Sequence, residues 1–189
     1  YYNITFIKEL LQSCEFDTQH IVPFDNKHIY RADELYVSKP IYSGNPSRED
    51  IYRVRQQLMI SDTFTPNTPR IGIIIRRKLP SPRSIINFDN LVTLVRDAIK
   101  EKHWIVFDLL TIKESIELFQ QADIILAPHG AGLTNMIFAP KGISIIEYVS
   151  VDEPNLCYWH LSELLENRYY CIPIRYQKGK TIQAPYDKT

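Results

Sequence analysis

From about residue 70 onward, short apolar runs alternate with stretches of helical period. Ile71 to Ile75 is a β-branched run, the pattern of a strand buried on both faces. Asn87 then precedes Leu91, Leu94, Val95, Ala98 and Ile99, an apolar stripe at helical spacing with an Asn cap at its start. His103 to Phe107 predicts a second strand. Thr111 and Glu114 form a capping box, opening a helix with Ile112, Ile116 and Phe119 on one side. A third strand is expected over Ile124 to Ala127, a fourth over Ile143 to Tyr148 and a fifth over Tyr170 to Ile174. A helix from Leu156 to Glu166 separates the last two. Strands alternating with helices predict an α/β fold, a Rossmann-like parallel sheet with helices on both faces and right-handed crossovers.

The first 69 residues are less regular. Ile4 to Leu11 suggests a helix and Ala32 to Ser38 an extended segment. Ser47 with Asp50 caps a helix through Ile51, Val54 and Leu58, and Phe64 to Pro69 reads as a linker. The expected division is a flanking segment or inter-lobe connection over residues 1–69 and a sheet domain over residues 70–189.

Composition narrows the function classes. Lys plus Arg is 22 and Asp plus Glu is 22, so the net charge is zero, which argues against a nucleic-acid coat or a polybasic membrane anchor. No apolar run approaches the ~18 residues of a membrane span. The chain opens on Tyr1-Tyr2-Asn3, with neither an initiator Met nor a signal-peptide pattern, and reads as part of a longer protein. Cys14, Cys157 and Cys171 form no CxxC pair and are expected to be free thiols rather than metal ligands. Asn3-Ile4-Thr5 fits the N-glycosylation rule, but localisation stays open: cytoplasm for a bacterial chain, ER or Golgi lumen for a eukaryotic one.

In open parallel sheets, ligands bind outside the carboxyl ends of the strands. Strand one is followed by Arg76-Arg77-Lys78 and then Arg83, with Arg70 before it and no acidic residue between positions 70 and 83. Guanidinium groups at a strand end can grip phosphate oxygens in bidentate fashion. Composition alone equally allows a solvated basic turn. Strand three is followed by Pro128-His129-Gly130-Ala131-Gly132-Leu133-Thr134-Asn135. Glycines there let the backbone approach a ligand, and the helix expected next offers free N–H groups. His129 and Asn135 can bond a phosphate or a sugar hydroxyl. This is not GxGxxG, which argues against NAD. Glu147 near the end of strand four can accept both hydroxyls of a ribose, or is simply a half-exposed strand end; Asp108 after strand two is equally ambiguous. Together, cations, a Gly turn and a carboxylate describe a nucleotide-diphosphate pocket. No DxD motif for a metal-bound diphosphate is evident, so no metal is expected and the arginines would take its place.

The run from Ala122 through His129-Gly130-Ala131-Gly132-Leu133-Thr134-Asn135, continuing through Phe138, Pro140, Gly142 and Ile145-Ile146-Glu147, resembles glycosyltransferase family 61. That family includes plant xylosyl- and arabinosyltransferases of xylan, animal O-linked N-acetylglucosaminyltransferases and bacterial capsule-type proteins. Arg76-Arg77, Arg83 and Asn87 agree with its upstream pattern, although Ile75 stands where a Ser is usual and Phe88 where an acidic residue is. The likeness is good over residues 70–150 and loose before them. It implies the carboxyl-terminal, donor-binding half of a GT-B enzyme, inverting and metal-independent, acting in polysaccharide or glycoprotein biosynthesis. Its partners would be a nucleotide sugar, UDP-linked on the family's pattern, a carbohydrate or glycoprotein acceptor, and an amino-terminal lobe of the same protein. In that frame Arg76 and Arg83 neutralise the departing diphosphate, while Arg77 on the alternate side is structural. Gly130, Ala131 and Gly132 hold the same group, His129 and Asn135 sit near the sugar or phosphate, and Glu147 holds the ribose. His129 is the candidate general base. The alternative is a nucleotide- or glycan-binding module without catalysis.

Overall fold

The computed structural model describes residues 5–22, 25–36, 44–77, 83–108 and 110–175. Asn3, Lys78 and the end of the Ala32–Ser38 segment lie outside them, and residues 32–36 enter no strand. Five strands form one parallel sheet: β1 (Ile71–Ile75), β2 (His103–Phe107), β3 (Ala122–Pro128), β4 (Ser144–Ser150) and β5 (Arg168–Ile174). Their order is β2-β1-β3-β4-β5. The chain thus winds one way from β1 to β2 and the other way from β3 to β5. The crevice at the carboxyl ends of β1 and β3 is the switch point, where open α/β sheets take their ligands.

Side chains alternate between the two faces. Ile71, Ile73, Ile75, Ile125, Ala127 and Ile145 share one buried cluster with α4 (Ile112–Phe119) and the 3-10 helix Ala131–Phe138. Ile74, Trp104, Leu126 and Tyr148 pack on the other face against Phe88, Leu91 and Val92 of α3 (Phe88–Ala98). The β-branched run of β1 is buried at all five positions, as a central strand covered on both sides requires.

Local chemistry sets the helix starts. The Thr111 hydroxyl accepts from the Glu114 N–H, and the Glu114 carboxylate accepts from the Thr111 N–H at 2.9 Å, closing the capping box. Ser47 likewise accepts from the Asp50 N–H, at 3.1 Å, opening α2 (Arg48–Gln57). Asn87 precedes α3 but makes no side-chain cap bond. The helix after β4, α5 (Cys157–Leu164), is shorter than the pattern suggested.

The amino-terminal elements pack on the same body. From α1 (Thr5–Ser13), Phe6 and Leu10 join the first cluster, and Glu9 accepts from the Ile112 N–H at 3.0 Å. From α2, the buried Arg55 reaches under the 3-10 helix. It donates to the carbonyls of Ile137 and Ala139, to Ser61 O at 3.1 Å and to Asp62 Oδ1 at 2.9 Å. A fully buried guanidinium is tolerable only with partners of this kind. The three cysteines are free thiols. Among the described residues, no helix is long and apolar enough to cross a membrane.

Candidate functional site

Two segments meet at the switch point: the residues after β1 and the residues after β3. A cleft of about 280 Å³ lies there, lined by Ile75, Arg76, Arg77, Asp108, Gly130 and Gly132 among others. A second cleft of about 390 Å³ shares Arg76, Arg77 and Asp108 and extends along Ile85, Ile86, Phe88 and Asp89. The arginines therefore stand on the ridge between two hollows.

The two glycines have different neighbours. A Cβ on Gly130 would overlap the Arg77 guanidinium, and one on Gly132 would come within 2.8 Å of Ile75 Cγ2. Gly130 is thus required for Arg77 to lie across the turn, and Gly132 lets the turn pack on the end of β1. The helix expected after the glycines is a 3-10 helix over Ala131–Phe138. Asn135 in its interior is buried, and its amide donates to Gly132 O at 2.9 Å. Its Oδ1 is buried with no hydrogen-bond partner among the described residues.

The three arginines are placed differently. Arg76 is half-exposed; its Nη2 donates to Asp89 Oδ1 at 2.6 Å, and its guanidinium lies 4.5 Å from the centre of the Phe88 ring. Arg77, read from alternation as a structural residue, faces the glycine turn. Burial, and then the neighbouring Arg83 charge, press its guanidinium below the usual arginine range. Even so, guanidinium stays protonated in proteins. Two like charges held this close raise the local affinity for an anion, which relieves their repulsion. Alternation holds past Ile75: the Arg76 N–H still donates to Phe107 O at 3.0 Å, and Arg76 turns to Phe88 of the second cluster while Arg77 turns to the glycine turn.

Behind the turn, His129 and Glu147 join Tyr169 in a buried polar group. Glu147 continues the inward-facing row of Ile143 and Ile145 and has no exposed surface. Its Oε1 is 2.6 Å from His129 Nδ1, and its Oε2 accepts from the Tyr169 hydroxyl at 2.7 Å. Parallel register explains both contacts: Ala127 pairs with Glu147, so His129 emerges just beyond it, and Tyr169 on β5 pairs with Ile145, one side-chain step away on the same face. The expectation of an open ribose clamp at Glu147 meets a carboxylate buried behind His129 with both oxygens engaged. Tyr158 of α5 covers the imidazole, ring centres 5.1 Å apart. Burial and then the Glu147 carboxylate push the Tyr169 phenol well above its ordinary range; burial also raises that of Tyr158. Both remain neutral donors at physiological pH.

The site thus brings together Arg76, Arg77, Gly130 and Gly132 at the cleft, with Arg83 near Arg77 and His129 alongside. Arg77, Asp89, Tyr158 and Tyr169 were not among the expected site residues. Of these, only Arg77 had a visible signal, its place in a basic run after a buried strand.

The EGF domain-specific O-linked N-acetylglucosamine transferase of Drosophila melanogaster is 26% identical over 139 residues, covering 71% of this chain and 26% of its own length. Its namesake in Xenopus laevis is 24% identical over 192 residues, covering 92% of this chain and 35% of its own, and that of Mus musculus is 22% identical over 191 residues with the same coverage. The chain therefore spans about a quarter to a third of the length of these curated relatives. The family model described as Glycosyltransferase 61 matches residues 4–146, a stretch that runs from α1 into β4 and takes in both segments meeting at the cleft; the chain belongs to glycosyltransferase family 61.

Proposed function

We propose that this chain is the donor-binding part of an inverting glycosyltransferase that transfers a sugar from a UDP-sugar without a metal ion. The observation that carries the reading is Arg77 lying across Gly130 at the sheet's switch point, with Arg76 and Arg83 beside it. Fixed cations and a close-approaching backbone suit a diphosphate. The neighbouring cleft, with Ile85, Ile86 and Phe88, offers apolar wall for a base. The relatives' printed name makes N-acetylglucosamine the first donor sugar to test and a hydroxyl on an EGF domain the first acceptor.

In this mechanism the acceptor oxygen attacks the anomeric carbon as the bond from that carbon to the diphosphate oxygen breaks. The bonding pair leaves with the diphosphate, whose growing charge the arginines stabilise without reorganising. The acceptor proton passes to His129, the general base of this proposal. The acceptor side would come from the remainder of a longer protein, as the relatives' lengths suggest.

Calorimetric titration of this chain with UDP, GDP and CMP, with and without Mn²⁺, tests donor binding. Saturable, metal-indifferent UDP binding is expected. The full-length protein, given UDP-N-acetylglucosamine and an EGF domain, should then release UDP with sugar transfer. Tight nucleotide binding with neither transfer nor donor hydrolysis would point instead to a binding module.

A further inference from the structure

We infer that Glu147 and Tyr169 are positioning residues that hold the imidazole proton of His129 on Nδ1 and so leave the lone pair on Nε2. The inference rests on the proposed transferase reading for its catalytic meaning but not for its geometry.

The argument begins with Tyr169. Its hydroxyl donates to Glu147 Oε2 at 2.7 Å. It keeps its proton at all ordinary pH, because burial and the adjacent carboxylate both favour the neutral phenol. Glu147 is therefore the acceptor in that bond. Its other oxygen, 2.6 Å from His129 Nδ1, is fully buried and needs a donor, since an uncompensated carboxylate in an apolar row is costly. Nδ1–H is that donor. A neutral imidazole carries one N–H, so Nε2 is left as the acceptor. Tyr158 over the ring and the parallel register of β3 and β4 restrict rotation of the imidazole about this bond. A histidine held this way is ready to take a proton at Nε2, and the resulting imidazolium stays beside a fixed counter-charge. Ribose binding by Glu147 would need the same two oxygens, so the two roles exclude each other.

The deciding measurement is long-range ¹H–¹⁵N NMR of the imidazole rings of this chain, with His129 identified by the loss of its signals in H129Q. The expected result is the Nδ1–H tautomer in the native chain. In E147L the ring should revert to a mainly Nε2–H population, while E147Q, whose amide oxygen can still accept, should retain Nδ1–H. An Nε2–H tautomer in the native chain overturns the inference, and that test needs no variant to fold. An unchanged tautomer in a folded E147L, checked by its amide spectrum, overturns it as well.

A second readout uses the full-length enzyme. For a positioning role, E147L should lower kcat about a hundredfold or more, on the scale of general-base catalysis, with donor KM unchanged, while E147Q, which keeps the tautomer, should lose much less. A raised donor KM at unchanged kcat would mean that Glu147 grips the donor and would overturn the inference. A native enzyme with no transferase activity would overturn the functional reading alone, and the tautomer would still be decided by NMR.

Discussion

Arg76 and Asp89 are joined at 2.6 Å across the mouth of the second cleft, the arginine half-exposed and the aspartate 90% exposed. The guanidinium is also stacked on Phe88. A surface pair of this sort is weak, about 0–1 kcal/mol, so an incoming diphosphate can displace it. On the proposed donor-binding reading, Asp89 would hold the place of the ligand's phosphate oxygens.

The first prediction follows from that competition. D89N should tighten UDP binding by about two- to fivefold, the ceiling a pair of this exposure permits. R76A should weaken it by about 1.5–3 kcal/mol, the range for a charged hydrogen bond, with the fold intact. Calorimetry on both variants checks the pair, and unchanged affinity in a folded R76A removes Arg76 from the site.

A second prediction concerns Arg77 and Gly130. A methyl group at position 130 would occupy the space of the guanidinium, so G130A should displace Arg77 and reduce UDP affinity about tenfold, or ~1.4 kcal/mol. R77A should lose a similar amount. Because both changes remove one interaction, the double variant should be no worse than either alone, a non-additivity read directly from a double-mutant cycle. Additive losses would mean that the two residues act separately.

The third prediction is about stability. R55A leaves the carbonyls of Ile137 and Ala139 without their donor beneath the 3-10 helix. Breaking a buried network of this kind should cost about 3 kcal/mol, seen as a lower urea midpoint at unchanged m-value. R53A, on the exposed side of the same helix, should change stability by less than about 0.5 kcal/mol.

A fourth prediction is a pH dependence. Partial burial works against the Asp62 carboxylate, but hydrogen bonds from Arg55 and Lys141 outweigh it and hold the carboxyl below the usual range. A depressed carboxyl contributes stability that is present above its unfolded pKa and is lost as pH falls through the folded value. Urea midpoints should therefore fall as pH drops below the ordinary carboxylate range. In D62N that decline should be shallower, because the folded and unfolded states no longer differ at this position.

Most of the sheet is legible in the residues. Ile71 to Ile75 could be little other than a buried strand, and Thr111 with Glu114 marks a helix start by side-chain chemistry confined to four positions. The strand bounds moved by only a residue or two. The 3-10 geometry of Ala131–Phe138 was not legible, because a run of Leu, Met, Ile and Phe after a glycine turn fits several helical forms, and packing against β1 and Arg55 chooses among them.

The site divides along the same line. By itself the sequence determined that cations follow one strand and glycines another, and that both lie at carboxyl ends, because those facts depend on neighbours along the chain. The order β2-β1-β3-β4-β5, which sets the two segments side by side, is a tertiary result. So is the contact of Arg77 with Gly130, since it needs the turn after β3 beside the end of β1, although alternation alone already sets Arg76 and Arg77 on opposite sides. The bond from His129 to Glu147, 18 residues apart, needs two strands in register and a third carrying Tyr169. Such contacts belong to the packing of distant segments, and local preference cannot specify them.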